Sequence, residues 1–333
     1  MVALAHHIER GRTMHSSLMP APESPAYHHP VLLTEVVRLL APRPGAIFVD
    51  GTLGGGGHTA ALLAAGAEVI GLDHDAEAIA EATARFAGQG KQFRAVRSNF
   101  KRVGEVLDEL GIAQIDGALI DLGVSSHQLD EPLRGFSFMN DGPLDMRMDD
   151  RLPRTAADLV NTLGGEELER IFRAFGEEPA SRRIAARLTR DRLTRPFSTT
   201  LQLAAAVESV VPRRGRTHPA TRIFQALRIA VNGETEALET GLEQFTARLS
   251  PGGRFGVITF HSLEDRVVKH FMKARATEWL DRPEWPEPRR NPDYIFKPVT
   301  RKAVVASAAE VQANPRARSA KLRVVEKIAP HVS

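Results

Sequence analysis

The sequence contains no cysteine among its 333 residues. Disulfide bonds, thiolate zinc sites, iron–sulfur clusters and thiol nucleophiles are therefore excluded. No run of about 18 apolar residues occurs, which argues against a transmembrane helix. The first 26 residues lack the apolar core of a signal peptide. These absences fit a cytoplasmic protein.

A large excess of charge of one sign is also missing. The 44 Lys and Arg residues nearly balance the 41 Asp and Glu residues, which gives a formal net charge of +3. Hydrophobic residues make up 42% of the chain, enough to fill a core, so a fully disordered chain is excluded. At roughly 150 residues per domain, the length predicts one large domain or two.

Short apolar runs alternate with helical patterns in the first part of the chain. Strands are predicted at 46–50, 68–73, 93–97 and 115–122. The intervening segments have apolar residues at helical spacing. This alternation predicts an α/β fold with a parallel sheet and helices on both faces.

The pattern changes between residues 125 and 215, where no convincing strand is found. Helices are predicted there at 155–161, 166–175, 179–193 and 199–210. Thr155 and Asp158 have the spacing of a capping box.

The α/β pattern then returns. Its predicted elements are helices at 220–232 and 234–249, a turn at 250–253, a strand at 254–260, a helix at 263–273, a largely irregular stretch at 279–298 and a strand at 322–326. We therefore predict a flexible tail over 1–25, a discontinuous α/β domain over 26–124 and 216–333, and an inserted helical substrate-recognition subdomain over 125–215.

A glycine-rich loop, residues 54–57, follows the first strand and opens a helix. Glycines let the backbone approach a ligand, and a helix N-terminus presents free N–H groups. Asp73 ends the next strand, 19 residues after Gly54, where an acid can accept hydrogen bonds from ribose hydroxyls. The pattern predicts a site for a nucleotide-like cofactor. The placement of Asp50 and Asp73 disfavours a loop that merely turns the chain.

The identity of that cofactor rests on few residues. Residues 55–60 fit a loose GxGxxA, which leaves a dinucleotide open. A Walker A motif is excluded, because no glycine precedes Lys-Ser or Lys-Thr. Asp50 ends the first strand and can face the amino-acid end of S-adenosylmethionine, directly or through water, which favours that cofactor.

Two further side chains follow strand ends. Phe100 comes after the third strand, where it can stack on an adenine or simply open a helix from the core. Asp121 ends the fourth strand, next to the switch point at which such sheets bind ligands. We take this carboxylate as a functional candidate.

Basic residues are concentrated in two segments. Residues 182–228 contain eleven arginines and two acids, and residues 289–327 contain ten basic residues and three acids. Such segments beside a cofactor site are typical of a rim that binds RNA phosphates, although a solvated helix face is the simpler reading.

Several blocks of sequence resemble one family. They include DGTLGGGGHT at 50–59, DLGVSSHQLD at 121–130, the chemically unusual RGFSFMNDGPLDMRMD at 134–149, and ITFHSLEDRVVK at 258–269. Matching blocks also lie at 28–37, 217–234 and 314–327, so the resemblance runs from about residue 26 to 327. In these blocks the chain resembles the RsmH (MraW) family of bacterial methyltransferases of small-subunit ribosomal RNA.

The resemblance implies a class I S-adenosylmethionine-dependent methyltransferase, a Rossmann-like doubly wound sheet with an inserted all-helical subdomain. It implies methyl transfer to the exocyclic N4 of a cytidine in the decoding region of 16S rRNA, within the small subunit, with no membrane and no metal. The family's cofactor contacts map onto Gly56, Gly57, His58, Asp73, Phe100, Asp121 and Gln128. One departure is visible at Gly54 or Gly55, where a bulkier residue is expected.

A base held in structured RNA must be extruded to reach such a pocket. Candidates for recognising it are Asp121, Ser125, Asn232, His261, Ser262, Glu264 and Arg266, of which Asp121, Asn232 and His261 are the catalytic candidates. Candidates for RNA contact are Arg213, Arg214, Arg216, Arg222, Arg316, Arg318 and Lys321. The alternatives are a dinucleotide-dependent oxidoreductase, a non-catalytic RNA-binding assembly factor, and a methyltransferase of proteins or small molecules.

Overall fold

The computed structural model describes residues 30–213, 215 and 218–329, apart from the side chain of Ser126. The predicted tail over 1–25 and the candidates Arg214 and Arg216 lie outside the described residues.

A mixed sheet forms the centre of the α/β domain, in the order β3-β2-β1-β4-β5-β10-β8. Strands β1 to β5 pair in parallel, whereas β10 runs antiparallel to its neighbours β5 and β8. The strands are β1 (Ile47–Asp50), β2 (Glu68–Asp73), β3 (Phe93–Arg97), β4 (Ile115–Asp121), β5 (Leu249–Thr259), β6 (Trp279–Leu280), β7 (Arg289–Arg290), β8 (Phe296–Pro298), β9 (Val304–Val305) and β10 (Lys321–Lys327). The predicted doubly wound α/β fold is confirmed, and its strand order reverses between β1 and β4.

The helices are α1 (Leu33–Leu40), α2 (Gly57–Ala64), α3 (Ala76–Arg85), α4 (Val103–Glu109), α5 (Ser126–Asp130), α6 (Ala156–Thr162), α7 (Gly165–Gly176), α8 (Ser181–Asp191), α9 (Thr200–Val210), α10 (Ala220–Asn232), α11 (Glu234–Arg248), α12 (Ser262–Arg275) and α13 (Ala308–Ala313). Helices α1 to α3 pack on one face of the sheet, and α4, α11 and α12 pack on the other. Because both faces are covered, the central strands are continuously apolar, as in the buried run 118–120 of β4.

A separate hydrophobic core holds the inserted helices together. It is formed by side chains such as Phe172, Ile184 and Leu203, and it also includes Ile223 and Leu227 of α10. The helical unit therefore extends past the boundary predicted at residue 215 and ends with α10. The predicted capping box begins α6: the Thr155 hydroxyl accepts a hydrogen bond from the Asp158 N–H at 3.1 Å, and the Asp158 carboxylate accepts one from the Thr155 N–H at 2.8 Å.

The turn predicted at 250–253 lies within β5. The pairing of β4 with β5 jumps from Ile115 opposite Leu249 to Gly117 opposite Arg254, so the intervening residues bulge without ending the strand. The stretch at 279–298, predicted to be largely irregular, contains the short strands β6, β7 and β8.

Gly56 sets the path of the glycine loop into α2. Its φ is +71°, and a Cβ atom placed there would lie 2.5 Å from the ring of Phe86. We expect Gly56→Ala to lower the free energy of unfolding by about 2–4 kcal/mol, because left-handed strain and overpacking add. Urea unfolding followed by circular dichroism measures this. Gly88→Ala is the matched control, since no atom lies within 4 Å of its Cβ position. Equal stability of the two variants would contradict this loop conformation.

Candidate functional site

A cavity of about 1220 Å³ opens at the carboxyl ends of the parallel strands. Its two halves have different walls. The first is lined by the glycine loop, Asp73, Phe100 and Gln128, and the second by Ala174 and Phe175 of α7, Asn232 of α10, and the start of α12. Asp121 also lines the cavity. The volume exceeds the range of ordinary ligand pockets, roughly 300–1000 Å³, so it has room for a cofactor and an acceptor group together.

Asp50 lies beneath the glycine loop and does not line the cavity. Its carboxylate is 1% exposed and accepts hydrogen bonds from the Thr59 hydroxyl at 2.7 Å and the Thr52 N–H at 3.3 Å. Burial raises the pKa of Asp50, although His58 and these hydrogen bonds oppose the rise. Asp50 therefore fastens the loop to α2. Of the two predicted modes of contact with the amino-acid end of the cofactor, direct or through water, its burial disfavours the direct one. Gly56 likewise faces Phe86 and does not line the cavity.

Asp73 reaches the cavity from the end of β2. Its two oxygens accept hydrogen bonds from the N–H groups of Gly54 and Asp75, each at 2.9 Å. Burial raises the pKa of this carboxyl. Because each carboxylate oxygen can accept more than one hydrogen bond, Asp73 can still bind a pair of hydroxyls.

Asp75, which the sequence analysis did not single out, supports this end of the site. It accepts hydrogen bonds from the Gln128 amide and the Arg134 guanidinium, each at 2.9 Å. These donors lower the pKa of Asp75 against the opposing effect of burial. Gln128 lines the cavity, and its amide oxygen accepts from the Ser125 N–H. The signal available was the spacing, since Asp75 follows Asp73 by two residues and caps α3.

Phe100 begins the short 3₁₀ turn Phe100–Arg102 that follows β3. Its ring lies so close to α11 that a Cβ atom on Gly241 would be 2.6 Å from it. The side chain is half-buried and lines the cavity, to which it presents an apolar surface.

Asp121 meets His58 at the centre of the cavity. Their atoms Oδ2 and Nδ1 are 3.7 Å apart, and Oδ1 of Asp121 is buried with no hydrogen-bond partner among the described residues. Burial, with smaller contributions from Asp50 and Glu264, raises the pKa of Asp121 to about 7. The structure therefore places a carboxyl group with a pKa near neutral in the wall of the cavity.

Asn232 lines the second half of the cavity, but its amide already forms hydrogen bonds within the protein. Its oxygen accepts from the Met148 N–H at 2.8 Å, and its nitrogen donates to the carbonyls of Met146 at 2.8 Å and Arg228 at 2.9 Å. This corrects the expectation of a catalytic asparagine, since the side chain ties the 146–148 loop to α10.

His261 caps the start of α12 and lines the cavity. Its Nε2 lies 2.9 Å from Oε1 of Glu264, whose other oxygen accepts from the Phe260 N–H at 2.8 Å. Arg228 lies 3.8 Å from Glu264 and donates two hydrogen bonds to Glu234. His261 and Arg228 lower the pKa of Glu264 although burial opposes this. His261 is therefore held beside a buried, charged partner.

Ser262 and Arg266 were candidates for base recognition, but both donate to the carboxylate of Glu177, Arg266 at 2.8 Å. Glu177 lies at the end of α7 with a φ of +47°. The two side chains therefore connect the helical unit to the α/β domain. The sequence analysis gave Glu177 no role.

The basic candidates differ in their surroundings. Arg213 and Arg318 are exposed. Arg222 donates to the Glu177 carbonyl at 3.3 Å. Arg316 lines the cavity and donates to Asp130 at 2.8 Å, and Lys321 donates to Asp265 at 3.2 Å.

Within residues 30–213, 215 and 218–329, no group of three or more His, Asp or Glu side chains is arranged to hold a metal ion. Over the same residues, no helix combines the length and the apolar character needed to cross a membrane.

Comparison with known proteins gives concordant matches. The profile described as the MraW methylase family matches residues 25–328. Ribosomal RNA small subunit methyltransferase H of Anaeromyxobacter dehalogenans is 52% identical over 304 residues, covering 90% of this chain and 98% of that protein. The protein of the same name from Citrifermentans bemidjiense is 51% identical over 309 residues, covering 91% and 99%. That from Geobacter sulfurreducens is 49% identical over 307 residues, covering 90% and 99%.

Proposed function

This chain belongs to the MraW methylase family, and from that premise we propose that it transfers a methyl group from S-adenosylmethionine to the N4 amine of a cytidine in 16S rRNA. The substrate we propose is the rRNA within the small ribosomal subunit. The observation that carries the proposal is the continuous cavity, in which Asp121 lies between the glycine loop and the wall formed by α7, α10 and α12.

The residues present fit S-adenosylmethionine. Asp73 offers a carboxylate to the ribose hydroxyls, Phe100 a flat surface to the adenine, and the start of α2 free N–H groups to the amino-acid carboxylate. The unpartnered Oδ1 of Asp121 lies where a donor or a positive charge is needed to satisfy it. When bound, the cofactor supplies an electrophilic methyl group on a positively charged sulfur.

The chain's own residues then position and deprotonate the acceptor. A cytosine amine is a weak nucleophile because its lone pair is delocalised into the ring. Asp121 can accept a hydrogen bond from one amine hydrogen, so that charge leaves as the new bond forms. Phe175 and the start of α12 enclose the space beside Asp121 and hold the base in line with the methyl group.

The test uses S-adenosylmethionine with a radiolabelled methyl group and 30S subunits from cells that lack the enzyme. After incubation the rRNA is digested to nucleosides, which are separated. We expect label in N4-methylcytidine. Subunits from wild-type cells are the control, because their site is already methylated and should take up no label. Tight binding of S-adenosylhomocysteine without label in the rRNA of either kind of subunit would contradict the proposed acceptor. The alternative of a non-catalytic assembly factor would then remain.

Naked 16S rRNA, assayed in parallel, tests whether the assembled subunit is the substrate. Family membership does not favour the dinucleotide-dependent oxidoreductase, and a competition experiment checks this directly. S-adenosylhomocysteine should compete with bound S-adenosylmethionine, whereas NAD should not.

Arg318 tests the basic rim. It is exposed and lies two residues from Arg316, which lines the cavity. We expect Arg318→Glu to weaken 30S binding and to reduce the slope of log affinity against log salt by about 1, because one phosphate contact is lost. Filter binding at several salt concentrations measures this.

Lys91→Glu is the control for the change of charge, because Lys91 is exposed near the start of β3, at the end of the sheet opposite the cavity. Equal salt slopes for the two variants would remove Arg318 from the RNA contact surface.

A further inference from the structure

We propose that His58 is a positioning residue, which shares a proton with Asp121 and thereby sets the pH range in which Asp121 accepts the proton of the acceptor amine. This inference rests on the proposed function and goes beyond it, since it gives the ring of His58 a role towards Asp121.

The contacts of His58 determine its neutral tautomer. Its Nε2 lies 3.0 Å from the carbonyl oxygen of Val31, and the ring is buried. Because a carbonyl oxygen can only accept, Nε2 must carry a hydrogen. In the neutral ring the other nitrogen, Nδ1, therefore has a lone pair and no hydrogen.

Nδ1 of His58 faces Asp121. The distance from Nδ1 to Oδ2 of Asp121 is 3.7 Å. A lone pair and a carboxylate that face each other repel, so a proton on Nδ1 or on Asp121 stabilises the arrangement. The Val31 carbonyl, which fixes the hydrogen on Nε2, thus leaves Nδ1 free to take a proton beside Asp121.

Other charged side chains lie around His58 and Asp121. Asp50 approaches from β1 and Glu264 from α12, and both raise the pKa of Asp121 after the larger effect of burial, whereas His58 lowers it. Glu264 itself is paired with His261 and lies near Arg228. His58 is therefore the basic side chain that directly opposes the two neighbouring acids.

The proton balance of the reaction fits this arrangement. The amine lone pair forms a bond to the methyl carbon as the bond from that carbon to sulfur breaks, and the electron pair of the broken bond remains on sulfur. The methylated nitrogen then carries one hydrogen too many. That proton passes to the carboxylate of Asp121, whose Oδ2 lies 3.7 Å from Nδ1 of His58. Asp121 releases this proton to water when the methylated product dissociates.

The first test needs no cofactor and no RNA. In protein labelled with ¹⁵N-histidine and ¹³C-aspartate, we expect nuclear magnetic resonance to show a proton on Nε2 of His58 throughout. The Nδ1 shift should change over the same pH range as the Asp121 carboxyl carbon. Asp121→Asn should abolish this common transition. Independent transitions, or a hydrogen on Nδ1 alone, would overturn the inference whether or not the protein methylates rRNA.

The second test uses His58→Gln, which can keep a donor for the Val31 carbonyl but removes Nδ1. Since His58 lowers the pKa of Asp121, its loss should move the acid limb of kcat by about one pH unit to higher pH. Activity at pH 7 should fall about fivefold and recover towards the wild-type value at pH 9. The KM for S-adenosylmethionine should change much less.

His270→Gln is the matched control, because His270 is exposed on α12 and does not line the cavity. Its acid limb should not move. An unmoved limb in His58→Gln, with wild-type protein methylating 30S subunits normally, would overturn the role of His58 and leave the proposed function intact. If wild-type protein fails to methylate, the proposed function falls, and the magnetic resonance experiment still decides whether the two side chains share a proton.

Discussion

Asp121→Asn is expected to lower kcat for methylation of 30S subunits by about 10²–10⁴-fold, the usual contribution of a proton acceptor. The substitution keeps the size of the side chain and replaces the carboxylate with an amide, which is a far weaker acceptor. Single-turnover labelling with excess enzyme measures the effect. Calorimetric affinity for S-adenosylhomocysteine should change by much less, since other groups hold the ribose and adenine.

The wild-type enzyme should also lose activity in acid. The pKa of Asp121 is raised to about 7 by burial, so the carboxylate form predominates above that pH and the protonated form below it. Only the carboxylate can accept a proton, and therefore kcat should rise through about pH 7 and then level off.

Asp116→Asn is a control on the same strand. Asp116 binds Arg43 and the Ile47 N–H, each at 2.9 Å, and does not line the cavity. It should alter stability more than kcat. Wild-type kcat in Asp121→Asn would remove Asp121 from the reaction.

Asp73→Ala is expected to weaken the binding of S-adenosylhomocysteine by at least about 100-fold, because hydrogen bonds to a charged acceptor contribute roughly 1.5–3 kcal/mol each. The variant also frees the N–H groups of Gly54 and Asp75, which the carboxylate holds at 2.9 Å. Isothermal calorimetry gives the affinity. With saturating cofactor, kcat should return to near the wild-type value, the opposite of the result for Asp121.

Asp73→Asn separates the two roles of this side chain, which are to bind the ribose and to hold the loop. The amide oxygen can still accept from one backbone N–H group, so the loop is partly retained while the charge is lost. Its affinity should lie between those of wild type and Asp73→Ala. Unchanged affinity in Asp73→Ala would show that the ribose is held elsewhere.

Elements with strong local patterns were predictable from the sequence. The bounds of β2, β3 and α10 match the predictions residue for residue, because each combines an apolar pattern with clear polar or glycine boundaries. The short helices α1 and α5 were missed. Alpha-helices of eight and five residues carry too few periodic positions to stand out. Strands β8 and β9 depend on pairing with the distant β10, which no local pattern reveals.

The candidate site was predictable in position but less so in role. Of the predicted site residues, Asn232 lines the cavity and Asp50 lies beneath the glycine loop, yet both are committed to other partners. Residue type and spacing show which groups can bind a ligand. They do not show which groups are already satisfied, because two of the three partners of Asn232, Met146 and Met148, lie more than eighty residues away in the chain. Separation along the chain also hid the pairing of Asp75 with Arg134.

The packing of α10 limits how this protein can be recombined with its relatives. Its apolar face completes the core of the inserted helices, although it follows them in the chain. A chimaera spliced at residue 215 would pair α10 of one parent with α7 of another, across a contact so close that a Cβ on Gly176 would lie 2.6 Å from the Arg222 carbonyl. Gly233, the single residue between α10 and α11, is the natural downstream junction. The transferable module is thus longer than the insertion that secondary-structure patterns outline.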